Sequence, residues 1–379
     1  MKKILAIIPT YYPSMGGAER SFYELYSGLS KKNFEIDILT PNIENIEKYE
    51  TTKNLKIIRV GKKTKGRLKK FILYQIYEYF ELKKLLKQNK YDLIHVHYAA
   101  PSCLIIKWLK RKLNIPIILT EHHYGTGGVT NPKENPKIVN IIIKNIYKEV
   151  TKVYVTGNTQ LKFVRDLTGR KDIKKISLGT DLKDFNPNKY NKDIKSKYKN
   201  KRIILNVSRL DKRKNISDFI KSAKIVLSKF PETYFLIIGK GKEKEKLKKL
   251  IENLNLEKNV LLLGYVPDKE LLEYYATADI FALTSKYEGF GIVYCEALAS
   301  GTPVVSYDMT ASREILEDSG AGIITNQNYM DFSKGLIRLL GDESILKEYS
   351  ENARTYVKQK FSWNKMVNEY EKEYKQLIN

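Results

Sequence analysis

Short runs of consecutive apolar residues recur along the chain, separated by longer amphipathic stretches. In the first half they are KILAII, FEIDILT, LKIIRV, DLIHVH, PIILT and KVYVT; in the second, RIILNV, TYFLIIG, NVLLLG, DIFAL and TPVVSY. Between most of them apolar positions fall at helical spacing, as over residues 18–29, 68–87, 216–229 and 271–277. Strands that are apolar throughout are buried on both faces, and intervening helices are what connect parallel strands. The pattern predicts an α/β protein built on parallel sheets.

The pattern restarts near residue 202, after a lysine- and asparagine-rich stretch, residues 186–201, that reads as a linker. The chain has 379 residues, and single cores stop growing near roughly 250–300. Two successive Rossmann-like domains are therefore expected, over 1–180 and 200–355. The remaining residues, 356–379, hold an amphipathic closing helix at 363–378. In open parallel sheets ligands sit beyond the carboxyl ends of the strands, so two such domains facing each other would enclose a central cleft.

Hydrophobic residues at 42% and charged residues at 29% exclude disordered and coiled-coil readings. No apolar run approaches the ~20 residues that span a bilayer. Residues 1–8 imitate a signal peptide until Pro9 interrupts them. Two cysteines, Cys103 and Cys295, are too few for a disulfide framework, so a reducing, cytoplasmic setting is expected.

Charge changes the picture by its placement. Residues 1–200 carry 40 Lys/Arg against 18 Asp/Glu and residues 201–379 carry 28 against 25, so +22 of the net +25 lies in the first half. The stretch GKKTKGRLKK (61–70) holds Lys62, Lys63, Lys65, Arg67, Lys69 and Lys70 with no acid. A basic face fits nucleic acid, anionic lipid or phosphorylated substrates. With no zinc-finger spacing, RNP-like motif or basic-region heptads, nucleic acid is set aside.

The residues that carry chemistry lie just after strands. Gly16 and Gly17 open a helix whose first amides favour phosphate or carboxylate, although a paired-glycine turn is by itself weak. Arg209 at a strand end and Lys214 before a helix could reach one anion, with Asn215 as that helix's N-cap. Gly239-Lys240-Gly241 serves as well for a tight turn as for ligand contact. In TSKYEGFGIVYCEA, Glu288 sits in a loop with Gly289, Phe290 and Gly291, and Glu296 follows in a largely apolar helix. Carboxylates accept from sugar hydroxyls in pairs, and loop amides donate to hydroxyl or phosphate oxygens. The four histidines, His95, His97, His122 and His123, cluster near two strand ends. Parallel topology alone explains that clustering, so a pocket role for His122 is favoured over a metal site.

Together these segments resemble the family 4 glycosyltransferases, which are retaining, nucleotide-sugar-dependent and have the GT-B fold. The resemblance runs through GGAER, HVHYAAP, TEHHYG, GTDLKDFNP, VSRLDKRKN, LLGYVPDKELLEYYATADIFALTSKYEGFGIVYCEALASGTPVVSYD and a terminal FSW. It implies that Glu296 accepts from donor ribose hydroxyls, and that Glu288 with the Gly289-Phe290-Gly291 amides holds the transferred sugar. It further implies that Arg209 and Lys214 clamp the diphosphate and Gly16-Gly17 approach its distal phosphate. His122 aligns with the family's sugar-pocket histidine. Catalytic roles thus fall to His122, Glu288, Arg209 and Lys214. One position departs from the family pattern, Leu178 in place of a common asparagine; Asn215, where glycine is frequent, is a common variant.

Fixed cations aimed at a departing nucleoside diphosphate stabilise the transition state without a metal, and no Asp-x-Asp motif is present to hold one. The expectation is a metal-independent, cofactor-free transferase, with UDP-sugar as favoured donor and a glycan or polyprenyl-linked glycan as acceptor. Residues 62–87 would dock the enzyme peripherally on an anionic inner leaflet. The competing readings are a nucleotide-sugar epimerase, a phosphorylase or a non-catalytic nucleotide-binding scaffold.

Overall fold

A computed structural model of the chain describes residues 1–12, 17–42, 45–61, 67–99, 103–122 and 137–378. It divides into two compact units, residues 1–178 with 363–379, and residues 179–362.

The first unit holds strands β1 (Lys2–Ile7), β2 (Phe34–Pro41), β3 (Tyr49–Thr52), β4 (Leu55–Val60), β5 (Leu93–His97), β6 (Ile117–Glu121), β7 (Lys152–Val155) and β8 (Ile173–Lys175). Its helices are α1 (Gly17–Ser30), α2 (Arg67–Gln88), α3 (Cys103–Lys112), α4 (Lys137–Glu149) and α5 (Asn158–Thr168). The strands lie in the order β3-β4-β2-β1-β5-β6-β7-β8, parallel except where β3 pairs antiparallel with β4. β5 and β6 are buried at every position, as their continuous apolar character requires.

The closing helix, which runs over Trp363–Ile378, belongs to this unit. Its stripe of Trp363, Met366, Val367, Tyr370 and Tyr374 is buried, at the spacing of one helical face. Gly28 of α1 lets the two helices approach: a Cβ there would lie 2.6 Å from a Val367 methyl. Glu373, also buried, accepts from the Tyr154 hydroxyl at 2.7 Å and pairs with Lys174 at 2.6 Å and Lys152 at 3.2 Å.

The second unit is a six-stranded parallel sheet: β9 (Ile203–Val207), β10 (Tyr234–Ile238), β11 (Val260–Gly264), β12 (Ile280–Leu283), β13 (Val304–Tyr307) and β14 (Gly322–Thr325). The spatial order β11-β10-β9-β12-β13-β14 puts the first and fourth strands side by side. There the connections leave in opposite directions, and ligands bind at such switch points. Helices α6 (Lys192–Lys197), α7 (Ile216–Leu227), α8 (Lys244–Asn253), α9 (Asp268–Thr277), α10 (Ile292–Ala299), α11 (Thr310–Leu316), α12 (Tyr329–Gly341) and α13 (Glu343–Lys360) complete it. The closing helix is therefore α14.

Two boundaries differ from the sequence reading. Residues 186–201 are not a loose linker: Asn191 caps α6, Ile194 and Tyr198 are buried, and Lys195 pairs with Asp279 at 2.6 Å. A few well-spaced apolar anchors hold a tract whose average composition is polar. At the other end α13 runs to Lys360 inside the second unit, so residues 356–362 belong there, while the closing helix itself spans Trp363–Ile378 as expected.

Candidate active site

In the second unit the loops after β9 and β12 flank the switch point, and their sequence locks them together. Asp211 caps a 3₁₀ turn over Lys212–Lys214, its carboxylate accepting from the Lys214 amide. Asn215 follows in the left-handed region at φ 49°. It stands at the N-cap position of α7, yet its side chain caps no helix amide; it donates to Asp218 Oδ2 at 2.7 Å instead. The left-handed backbone suits asparagine, which tolerates that region better than most side chains. The Thr284 hydroxyl donates to the Asn215 carbonyl at 3.0 Å, and the Lys286 amide donates to the Arg213 carbonyl at 2.9 Å.

Gly239 and Gly241 support this loop from behind. A Cβ at Gly239 would lie 1.9 Å from the Ser208 carbonyl oxygen, and one at Gly241 2.2 Å from that of Leu210. The Leu210 amide donates to the Lys240 carbonyl at 3.0 Å. Close backbone packing explains both glycines.

This scaffold brings Lys214 and Glu288 together. The ammonium meets Glu288 Oε1 at 2.5 Å with both side chains about nine-tenths buried. Just beyond, Gly291 takes φ 82° at the N-cap of α10, where a Cβ would collide with the Tyr294 ring. Phe290 is buried against Phe361. α10 is apolar nearly all round, and its one carboxylate, Glu296, accepts from the buried Tyr275 hydroxyl at 2.9 Å. Burial, then the neighbouring Glu296, holds the Tyr275 phenol well above its usual pKa, so it acts as a hydrogen-bond donor. Arg209 is placed differently: it is largely exposed and lies 3.4 Å from Asp211. A cavity of about 780 Å³ adjoins Asp211, Lys212 and Asn215, but Lys214, Glu288 and Glu296 do not line it.

In the first unit His95, His97 and His122 meet as the strand register predicts, with His122 directly after β6. Their ring centroids lie 4.0 Å (His95–His97) and 4.9 Å (His97–His122) apart, with the planes tilted by 36° and 38°. Phe22 of α1 packs edge-on to both His97 and His122. Tyr98, in the left-handed region at φ 69°, lays its ring on His122. Burial depresses the basicity of His95 and His97 well below the usual range, as do neighbouring histidines. Among the described residues no group of three or more His, Cys, Asp or Glu is arranged to hold a metal ion. Gly17 is exposed at the start of α1; Gly16, His123, Lys62, Lys63 and Lys65 lie outside the described residues, as do the side chains of Arg67, Lys69 and Lys70.

Sequence reasoning missed Tyr275, Thr284, Tyr26 and Tyr374. A signal was present in the composition, 27 tyrosines against 13 phenylalanines. Tyrosine at helix positions that face the core implies a buried hydroxyl needing a partner.

The fold defines the class: sucrose-phosphate synthase from Thermosynechococcus elongatus superposes with a TM-score of 0.84 at 22% identity, over 100% of this chain and 99% of that one. Anabaena HepE, solved with UDP and glucose, gives 0.79 at 18% identity over the full length of both. These are GT-B glycosyltransferases. Residues 15–184 match the family described as Glycosyltransferase Family 4, and residues 188–356 match Glycosyl transferases group 1. The chain belongs to this group 1/family 4 glycosyltransferase family and is a transferase. It is 27% identical to an uncharacterized glycosyltransferase of Methanocaldococcus jannaschii over 100% of both chains. It is also 27% identical to alpha-monoglucosyldiacylglycerol synthase of Acholeplasma laidlawii, over 92% of this chain and 90% of that one.

Proposed function

We propose that the protein is a retaining glycosyltransferase that moves a sugar from a nucleotide sugar, UDP-sugar being favoured, to a glycan or lipid-linked glycan without a metal ion. The observation that carries this reading is the buried Lys214–Glu288 pair beside the start of α10, with Glu296 fixed by Tyr275 on the same helix. A buried lysine aimed by its own carboxylate is a directional cation. It offsets the charge that grows on the diphosphate as the sugar leaves, together with Arg209. Glu288 and the Gly289–Gly291 amides contact the sugar and Glu296 accepts from the ribose hydroxyls; the family resemblance gives His122 and Gly16-Gly17 their donor-side roles. HepE's UDP supports the donor base, and the diacylglycerol in the name of the Acholeplasma relative supports a lipid-borne acceptor. Retention rests on the family resemblance.

The basic first unit supplies the acceptor side. On α2, Ile76, Tyr77 and Phe80 are exposed beside exposed Lys83 and Lys84, which fits peripheral docking on an anionic lipid surface. Among the described residues no helix is long and apolar enough to cross a membrane. Vesicle cosedimentation at moderate salt tests the docking; equal binding to neutral and anionic vesicles overturns it.

The main test is saturation-transfer NMR with UDP-, GDP- and ADP-sugars on wild type and Glu296→Ala, followed by acceptor screening with and without chelator. One donor that binds and is weakened by the substitution, transfer that survives chelation, and a product with the donor's anomeric configuration are expected. No binding, or binding indifferent to Glu296, overturns the assignment. Donor turnover to an isomerised sugar without acceptor marks an epimerase.

A further inference from the structure

We propose that Gln160 is a positioning residue for His122: it holds the peptide unit that follows the histidine and so fixes how that residue is presented. The inference rests on the reading of His122 as a sugar-facing residue and adds the group that keeps it in place.

His122 is the first residue beyond β6, whose last residue, Glu121, is still in register with Val155 of β7. The two peptide units that flank its Cα are held by different groups. The Glu121 carbonyl accepts from the Thr156 amide at 3.3 Å, and the His122 carbonyl accepts from Gln160 Nε2 at 2.8 Å. Together they set both backbone dihedrals of His122. The ring is confined separately, by Phe22, Tyr98 and His97. His97 and His95 are confined in turn by the hydroxyls of Tyr26 and Tyr374.

Gln160 is fully buried in the first turn of α5, at the third helical position after the N-cap Gly157. A glutamine there commonly reaches back to the N-cap amide with its side-chain oxygen. Here that oxygen, Oε1, is buried without a hydrogen-bond partner, so the capping use is given up for the bond to His122. The orientation of the amide follows from that bond, because turned over it would set Oε1 against the His122 carbonyl oxygen. A buried acceptor with no donor destabilises a fold, so stability does not explain the glutamine. An apolar side chain would remove this unfilled acceptor and leave one at the His122 carbonyl, a nearly neutral exchange for the fold. What such a change releases is the backbone of His122.

The test compares Gln160→Leu, Gln160→Met and Gln160→Glu in the full chain by thermal melts, UDP calorimetry and transfer kinetics. The two apolar variants are expected to keep the wild-type melting temperature and UDP affinity. Their kcat/KM for transfer should fall about fivefold, the equivalent of one lost hydrogen bond. Gln160→Glu adds a readout that packing alone would not move. Burial raises the pKa of the introduced carboxyl; protonated, it donates to the His122 carbonyl, and ionised, it turns an oxygen on it. Its kcat/KM, divided by that of wild type at the same pH, should climb as pH falls from about 8 to about 6. The same ratio for Gln160→Leu should stay level. If an apolar variant fails to fold, the pH profile of Gln160→Glu carries the test. Wild-type transfer in Gln160→Leu overturns the proposal, as does a level ratio in Gln160→Glu. A loss of UDP affinity matching the loss of transfer marks Gln160 as a packing residue and overturns it too. If His122→Ala itself transfers normally, it is the sugar-facing reading that fails; a defect there with none in Gln160→Leu sinks the role of Gln160 alone.

Discussion

Lys214 and Glu288, 74 residues apart in sequence, meet at 2.5 Å with both side chains withdrawn from water. Removing either partner strands a charge in a site built for two, which typically costs about 3–5 kcal/mol. Lys214→Met and Glu288→Gln are each expected to lower stability on that order, less where water enters. The double variant should recover part of the loss, because no isolated charge remains. Urea unfolding of the four proteins gives the coupling energy. Transfer should fall in all three variants, including any whose stability is restored; strictly additive losses would show that the pair is not coupled.

Tyr275 donates to Glu296 from a fully buried position. Tyr275→Phe keeps the packing and removes one hydrogen bond to a carboxylate, worth about 1.5–3 kcal/mol. The expected result is donor affinity weakened roughly tenfold, with acceptor KM unchanged, as calorimetry and initial rates would report. Equal affinity in the variant would mean that Glu296 is oriented by something else.

How much of this was legible in the sequence depends on the physics of each element. Strands such as β1, β6, β9 and β10 declared themselves because burial on both faces leaves an unbroken apolar run. β3 did not, since all four of its residues are exposed, and β8 has only three residues. Lys214 and Glu288 could be singled out by residue type and neighbouring glycines. Their pairing could not be read, because it depends on β9 and β12 lying side by side in the sheet. Asn215 could be placed at a helix start but not in the left-handed region, which an N-cap assignment ignores. Tyr26 and Tyr374 look like core residues from spacing alone, and only coordinates reveal what their hydroxyls touch.

The histidine cluster makes stability depend on pH. Burial holds His95 and His97 well below the usual value of 6.5, so the folded chain leaves them neutral where the unfolded chain protonates them. The unfolded state then binds more protons, and stability rises with pH. This contribution is fully present above 6.5 and is lost as pH falls below it, at up to about 1.4 kcal/mol per pH unit for each histidine. Denaturant midpoints measured from pH 8 to pH 5 should stay level and then decline, with proton uptake on unfolding near pH 5.5. A level profile down to pH 5, above the carboxylate range, would mean that the histidines are charged in the folded protein.

α1 and α14 pack tightly at Gly28, where an added Cβ would sit 2.6 Å and 2.9 Å from the two Val367 methyls. Gly28→Val should therefore push α14 outward, at the roughly 1–3 kcal/mol typical of overpacking. The gain in helix propensity from losing a glycine, about 0.5 kcal/mol for valine, opposes this but is smaller. Val367→Ala in the same chain removes the colliding methyls and should return part of the stability, which a cavity explanation would not. The two variants and their combination can be compared by melting temperature and by protease cleavage within 363–378. If Gly28→Val melts at the wild-type temperature and α14 stays protected, the contact is loose enough to absorb the side chain. Because Tyr370 and Tyr374 ride on α14, displacement of the helix should also disturb the hydrogen bonds between Tyr374 and His95 and between Tyr370 and Thr120, visible in ¹⁵N-histidine NMR spectra.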